Sequence, residues 1–326
     1  LDRFDPDGSI CSLTERRTGR DLCRKDAPPL NSFFCGEDVP ASYDNWNIDL
    51  DTLDKQKRQL GLISSEVILD GAEEFRLRQT RALARRSVLT QDLVFYANDP
   101  RVDFETRLDW HDNHQLVKVC FAADVPEGTV RTDVGLGHLV RATGRETSED
   151  LARFEICQHK WTDLSGSDFG VTLLNDCKYG ISVTDGELRL TLMKAGTRPD
   201  DTADEGVHYC LYSFRPHEGA FSVGNAVRPA YELNLPPIPY RGEAVTPFFS
   251  FESETVVCET VKTAEDSPAA VLRFYEASGR GGSLRLTLPA GSRLIEANLL
   301  EEPGEALDPA AALAFRPFEL KTLLVL

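Results

Sequence analysis

Four consecutive segments constrain this chain most, because apolar and polar residues alternate over parts of each: LISSEVILDG (Leu62–Gly71), FRLRQTRALARRSVLTQDLVFY (Phe75–Tyr96), VDFETRLDW (Val102–Trp110) and LVKVCFAADV (Leu116–Val125). A period of two puts alternate side chains on opposite faces, which is the pattern of half-buried strands. ELRLTL (Glu187–Leu192) repeats it, and NDP, PEG, TDG and PHEG supply turn signals between runs. Ala82, Leu83 and Ala84 beside arginines would also suit a helix, but the alternating flanks favour a strand through Leu77–Leu89. Long helical patterns with both caps are missing, so the expected fold is all-β, with antiparallel sheets packed face to face. Pro28–Leu50 and Gly135–Leu151 read as irregular loops.

LNLPPIPYRGEAVTP (Leu233–Pro247) packs four prolines and a glycine into a short span, and prolines deny ladder hydrogen bonds, so it reads as a linker or crossover. Five β-like segments follow it and end on the apolar FRPFELKTLLVL, whose last strand is expected to be central or tightly packed. Two domains are therefore expected, a large one over 1–235 and a compact one over 236–326.

Composition narrows the partners. With 36 basic against 53 acidic residues, the net charge of −17 disfavours nucleic acid and anionic membrane surfaces, which need concentrated positive charge. No stretch approaches the ~18 apolar residues of a membrane-spanning helix. The start has neither an initiator Met nor the order of a signal peptide, so a fragment or processed product is expected. Cysteines at 11, 23, 35, 120, 157, 177, 210 and 258 are widely spaced without CxxC, which points to reduced thiols in a reducing, cytoplasmic compartment rather than a disulfide scaffold or a zinc knuckle.

Three short stretches hold the candidate site residues. In SYDNWNIDLD, Tyr43, Asp44, Trp46 and Asn47 mix aromatic faces with short acceptors, as sugar sites do; an Asx turn with a core tryptophan would give the same letters. In DWHDNHQLVKV, His111 and His114 are three apart; the following LVKVCF favours a strand that would turn them to opposite faces, leaving His111 as a polar contact. In VTLLNDCKYGISV, Asn175 or Asp176 can cap a turn through its own backbone, with Gly180 at positive φ, or Asp176, Lys178 and Tyr179 can form the rim of a polar site. GxSxG, Walker A, HExxH and GxGxxG motifs do not occur.

DGSICSLTERRTGRDL, YDNWNID, RLDWHDNHQLVKVCFAADV, GHLVRATGRETSEDLARFEICQHKWTDLS, DFGVTLLNDCKYGISV, DGELRLTLMKAGTRPD, TVKTAED and LRFYEASG together resemble the C-terminal half of glycoside hydrolase family 38 α-mannosidases, of the bacterial and cytosolic type. The resemblance implies a large galactose-mutarotase-like β-sandwich followed by a small β-sandwich. It implies that the parent enzyme hydrolyses α-mannosides with retention, using one zinc ion and an aspartate nucleophile in an N-terminal catalytic domain. No catalytic or metal residue, and no cofactor, falls to this chain on that reading, which is then inactive alone and has that catalytic domain as its partner. Asp44, Trp46, Asn47, His111, Asp176, Lys178 and Tyr179 become pocket-rim or domain-interface residues. The exposed interface would favour a homo-oligomer. A free-standing carbohydrate-binding module or a mutarotase-like enzyme are the alternatives. YDNWNID departs from the family's YDAWDID at Asn45 and Asn47; Asn47 gives up a charge and gains two donors.

Overall fold

The computed structural model describes residues 3–125, 128–243 and 245–326. The expected PEG turn at 126–128 lies mostly outside them. The fold is all-β, in two compact units: Leu1–Thr132 with Val140–Phe221, and Asp133–Leu139 with Ser222–Leu326.

In chain order, the first part of the protein forms β1 (Arg3–Phe4), β2 (Ile10–Ser12), β3 (Ser32–Glu37), the short helix α1 (Thr52–Lys55), β4 (Lys57–Arg58), β5 (Leu62–Asp70), β6 (Glu74–Leu83), β7 (Ser87–Tyr96), β8 (Val102–Trp110) and β9 (Gln115–Ala122). It continues with β10 (Thr129–Asp133), β11 (His138–Arg141), α2 (Ser148–Ala152), β12 (Ile156–Cys157), β13 (Trp161–Ser165), β14 (Phe169–Asn175), β15 (Gly180–Thr184), β16 (Glu187–Ala195) and β17 (Gly206–Glu218). A nine-stranded sheet has the order β11-β10-β13-β14-β17-β8-β7-β6-β5, and a six-stranded sheet the order β12-β15-β16-β9-β3-β4. Their inner faces share one core. Phe121 of β9 lies 5.4 Å from Phe104 of β8 and 5.5 Å from Phe214 of β17, so aromatic rings bridge the two sheets.

The alternating runs form strands, and β6 does so for the reason expected, burying Leu77, Gln79, Arg81 and Leu83 and turning the residues between them outward; β5 instead is exposed on both faces and β9 is buried on both from Leu116 to Ala122. Phe75–Tyr96 is a hairpin rather than one strand, turning at Ala84, whose φ is 56°. The TDG signal makes the β15–β16 hairpin through Asp185 (φ 50°) and Gly186 (φ 75°), the left-handed pair that a tight two-residue turn requires. Three expectations are corrected. Pro28–Leu50 is not loop throughout, because SFFCGE forms β3, between β9 and the edge strand β4 of the six-stranded sheet, with Phe33 fully buried. Gly135–Leu151 contains β11 and α2, the latter closed by a Thr147–Asp150 capping box. VTLL and GISV are not partners in a hairpin: β14 belongs to the nine-stranded sheet and β15 to the six-stranded one, so Asn175–Tyr179 is a corner at which the chain changes sheets.

The second unit opens with a π-helical turn (Val223–Val227) and α3 (Arg228–Asn234). Residues 235–243 have no helix or strand and are mostly exposed. Then come β18 (Ser250–Glu252), β19 (Val256–Thr263), β20 (Ala270–Glu276), β21 (Gly282–Thr287), β22 (Leu294–Ala297), β23 (Pro303–Leu307), β24 (Leu313–Phe315) and β25 (Leu320–Val325). They form a three-stranded sheet, β18-β21-β24, and a five-stranded one, β19-β20-β25-β22-β23. Val256, Leu272, Phe274, Leu284, Leu294, Phe315, Leu323 and Val325 fill the space between them. The terminal strand β25 is the middle strand of its sheet. The five expected segments are eight strands, because FFSFESETVVCETVKTAED divides into β18 and β19, and β23 and β24 are short.

Candidate functional site

Four connections meet at one end of the large sandwich. Register places them there: Gly206 pairs with Trp110, Asn175 with Tyr212, and Gln115 with both Ala195 and Glu37. The segment after β3, the 111–114 turn, the 175–179 corner and the 196–205 connection therefore leave the sheets side by side.

The first and last of these are joined through Asp44. Its Oδ2 accepts the Thr197 backbone N–H at 2.6 Å and the Thr197 hydroxyl at 3.0 Å, while its backbone carbonyl accepts Lys194 Nζ at 2.7 Å. Lys194 also meets the buried carboxylate of Asp38 at 2.5 Å. Burial raises the Asp38 carboxyl above its ordinary range against the pull of Lys194. At Asp44 burial also pushes upward, but the Thr197 donors, His114 and Lys194 outweigh it, and the net shift is down. A Cβ on Gly196 would fall 2.0 Å from Asn45 Oδ1 and 2.8 Å from Asp44 Oδ1, so the two connections approach as closely as a glycine allows.

Trp46 is not a core tryptophan. It is 70% exposed, edge-on to Tyr43, which is 72% exposed and held at φ 56°. Asn47 Nδ2 donates to Ser42 O at 3.1 Å, a bond that an aspartate at this position could not give.

His111 and His114 lie in the turn between β8 and β9, not on a strand, which corrects the expectation of opposite strand faces; His114 has φ 54°. His111 sits between Asp109 Oδ1 at 2.7 Å and Glu205 Oε1 at 3.5 Å. The bond from His111 holds the Asp109 carboxyl low. His114 Nε2 is 3.4 Å from the Thr197 hydroxyl. At the corner, Asn175 Oδ1 caps the Lys178 N–H at 2.7 Å and Asp176 Oδ1 accepts the Leu211 N–H at 3.0 Å. Gly180 does not take positive φ; it begins β15, opposite Cys157. Tyr179 is 53% exposed and packs edge-on against His159 at 5.3 Å. Lys178 and Lys194 both act on Asp204, whose carboxyl burial nevertheless raises.

Of the seven residues singled out from sequence, Asp44, His111 and Lys178 act on the 196–205 connection, Asp176 bonds β17, and Trp46, Asn47 and Tyr179 lie in connections that leave the same end of the sandwich. They divide by use. Asp44 Oδ2, Asn47 Nδ2 and Asp176 Oδ1 are taken up in internal bonds. Trp46 and Tyr179 present rings outward, and Lys178 and His111 carry charge or donors between. Sequence reasoning missed Asp38, Lys194, Thr197, Asp204 and the exposed Tyr209. A lysine closing the apolar run LTLMKA was the available signal for Lys194. Among the described residues, no group of three or more His, Cys, Asp or Glu side chains is placed to hold a metal ion, so these residues do not fit a zinc site and no step through zinc is derived for them. Among the same residues, no helix is long and apolar enough to cross a membrane.

Comparison with known proteins gives concordant matches. The profile described as "Glycosyl hydrolases family 38 C-terminal domain" matches residues 3–202, and "Glycosyl hydrolases family 38 C-terminal beta sandwich domain" matches residues 255–323. Alpha-mannosidase 2C1 of Homo sapiens is 38% identical over 99% of this chain and 32% of its own length. Alpha-mannosidase G of Dictyostelium discoideum is 32% identical over 97% of this chain and 31% of its own. The crystal structure of an alpha-mannosidase from Enterococcus faecalis V583 superposes with a TM-score of 0.79 at 16% identity, covering 99% of this chain and 41% of that one, a likeness of fold. The chain spans about a third of the length of the curated relatives it matches.

Proposed function

The chain belongs to glycosyl hydrolase family 38, and from that membership we propose that it is the pocket-supporting β region of a retaining, zinc-dependent α-mannosidase. On this reading the zinc and the nucleophile reside in an N-terminal catalytic domain outside this chain, which hydrolyses α-mannosidic bonds and is the β region's partner. Support comes from the printed names of the relatives and from the share of their length that this chain leaves uncovered. The observation that carries the residue-level reading is that His111 beside Glu205 and Lys178 beside Asp204 act on the 196–205 connection, while Trp46 and Tyr179 are exposed in connections that leave the same end of the sandwich. Exposed rings beside fixed donors and acceptors suit either a sugar's edge or a neighbouring domain's loop.

We take the large sandwich to be of the galactose-mutarotase-like type, and the domain division as 1–235 and 236–326; the irregular, exposed residues 235–243 favour a boundary there, although α3 falls within the second compact unit. The eight free thiols favour a reducing, cytoplasmic setting. Neither nucleic acid nor membrane is a partner, and the uncovered rim can pair copies of the chain. The exposed Tyr43–Trp46 pair also favours a second reading, in which the region binds sugar by itself.

The test is hydrolysis of an aryl α-mannoside. A protein that includes the N-terminal region should turn over and lose activity to a chelator, while the 326-residue chain should not. Turnover by this chain that survives chelation and repurification would refute the assignment.

A further inference from the structure

The outer face of the six-stranded sheet should meet water, and along β9 it does not. Along β9 the core takes Val117, Val119 and Phe121, so Leu116, Lys118, Cys120 and Ala122 point the other way. Yet Lys118 is 2% exposed, and Cys120 and Ala122 are fully buried. Residues around Leu53–Gln56, Arg145 and Glu155 cover part of this face and leave a partly open cavity of about 280 Å³, close to the roughly 300 Å³ at which ordinary small-molecule sites begin.

Register fixes its floor. Lys118 lies between Phe34 of β3 and Thr191 of β16, and Arg189 lies opposite Cys120. Lys118 Nζ is 2.6 Å from Glu155 Oε1 and 3.0 Å from the Thr191 hydroxyl; Arg189 is 2.6 Å from Glu187 Oε2. Arg145 donates to the Thr184 hydroxyl at 2.9 Å. The buried charges are thus paired within the wall. A free ion would find little unbalanced field, whereas hydroxyl groups would find oriented donors and acceptors. Gln56, in the roof, lines the cavity, and its Oε1 is buried without a hydrogen-bond partner. Stability alone does not account for the lysine, because a packed apolar floor is commonly as stable as a buried ion pair. Burial accordingly depresses the Lys118 ammonium, against the pull of Glu155.

We propose that this cavity is a binding site for a neutral, polyhydroxylated molecule of monosaccharide size, separate from the rim around Asp44 and Thr197. Isothermal titration of the 326-residue chain with D-mannose, methyl α-D-mannoside and myo-inositol tests it, with inorganic phosphate as the ionic comparison. At least one polyol should bind saturably. Gln56→Leu and Glu155→Gln should each weaken that binding about tenfold or more, and Val261→Ser, on an exposed position of β19, should leave it unchanged. Lys118→Met can fail to fold, so the roof variants carry the decision. Three results would overturn the proposal: no polyol binding up to about 50 mM, saturable binding of phosphate alone, or polyol binding that both roof variants leave intact.

Discussion

Asp44 and Thr197 are 153 residues apart in sequence, and one carboxylate oxygen of the first accepts both the N–H and the hydroxyl of the second. This latch ties the segment after β3 to the connection before β17. Bonds to a charged acceptor contribute about 1.5–3 kcal/mol. Asp44→Ala should therefore lower stability in urea by about 2 kcal/mol, and the Thr197 amide should lose its protection from hydrogen exchange. Undiminished protection would show that the connection is held by other groups.

The same latch should be pH-sensitive. The Asp44 carboxyl lies below its ordinary value in the folded chain: burial alone would raise it, but the Thr197 donors, His114 and Lys194 prevail. A carboxyl depressed on folding adds stability above its unfolded pKa, and that stability is lost as pH falls through the folded value. The difference in stability between wild type and Asp44→Asn should hold above about pH 4 and shrink below it. A difference that stayed constant down to about pH 2.5 would contradict this.

Tyr43 and Trp46 are exposed, and truncating them should change stability by no more than about 0.5 kcal/mol. In a mannosidase that includes the N-terminal region, Trp46→Ala should nevertheless lower kcat/KM for an aryl α-mannoside about tenfold. Wild-type kinetics would remove Trp46 from the pocket rim.

The eight thiols should differ in reactivity although all are free. Cys157 and Cys177 are the exposed pair, but burial of the sulfur and the neighbouring Asp176 carboxylate push the Cys177 thiol up to about 12. The thiolate is the nucleophile. Alkylation under native conditions at neutral pH should modify Cys157 well before Cys177, as peptide mapping would show; equal rates would argue against the Asp176 contact.

Deleting Leu323–Leu326 should unfold the second unit. Leu323, Leu324 and Val325 are each at most 5% exposed, and β25 is hydrogen-bonded on both edges. At about 1.5–3 kcal/mol per buried side chain, the loss rivals the whole stability of an ordinary domain, roughly 5–15 kcal/mol. Proteolysis should then digest the chain beyond the exposed 235–243 stretch. A truncated protein as resistant as wild type would show that β25 is dispensable.

Alternation read true in β6 and β8, whereas β5, exposed on both sides, and β9, buried on both, are strands that are not half-buried. β6 and β8 alternate because water bounds one face, and that asymmetry is written in the residues. β3 was hidden because SFFCGE is buried on both faces and follows a proline pair, so it carries no period. β24, with three residues, is too short to show one. The candidate site was half legible. Asp44 and Asp176 could be named from local chemistry, but Thr197 and Leu211, which fix what their carboxylates do, are brought to them by the fold. Trp46 was ambiguous because a core tryptophan and a displayed one have the same letters around them, and only the fold shows it displayed, beside a Tyr43 held at φ 56°.

With its inner residues in the aromatic core and its outer ones beneath the roof, β9 has no spare side. Mutational drift in most sheets accumulates on the wet face, and here that outlet is closed: from Leu116 to Ala122 every side chain is buried. Each substitution along this strand has to be matched by a neighbour, so β9 should change only in company, while the connections at either end absorb the independent variation.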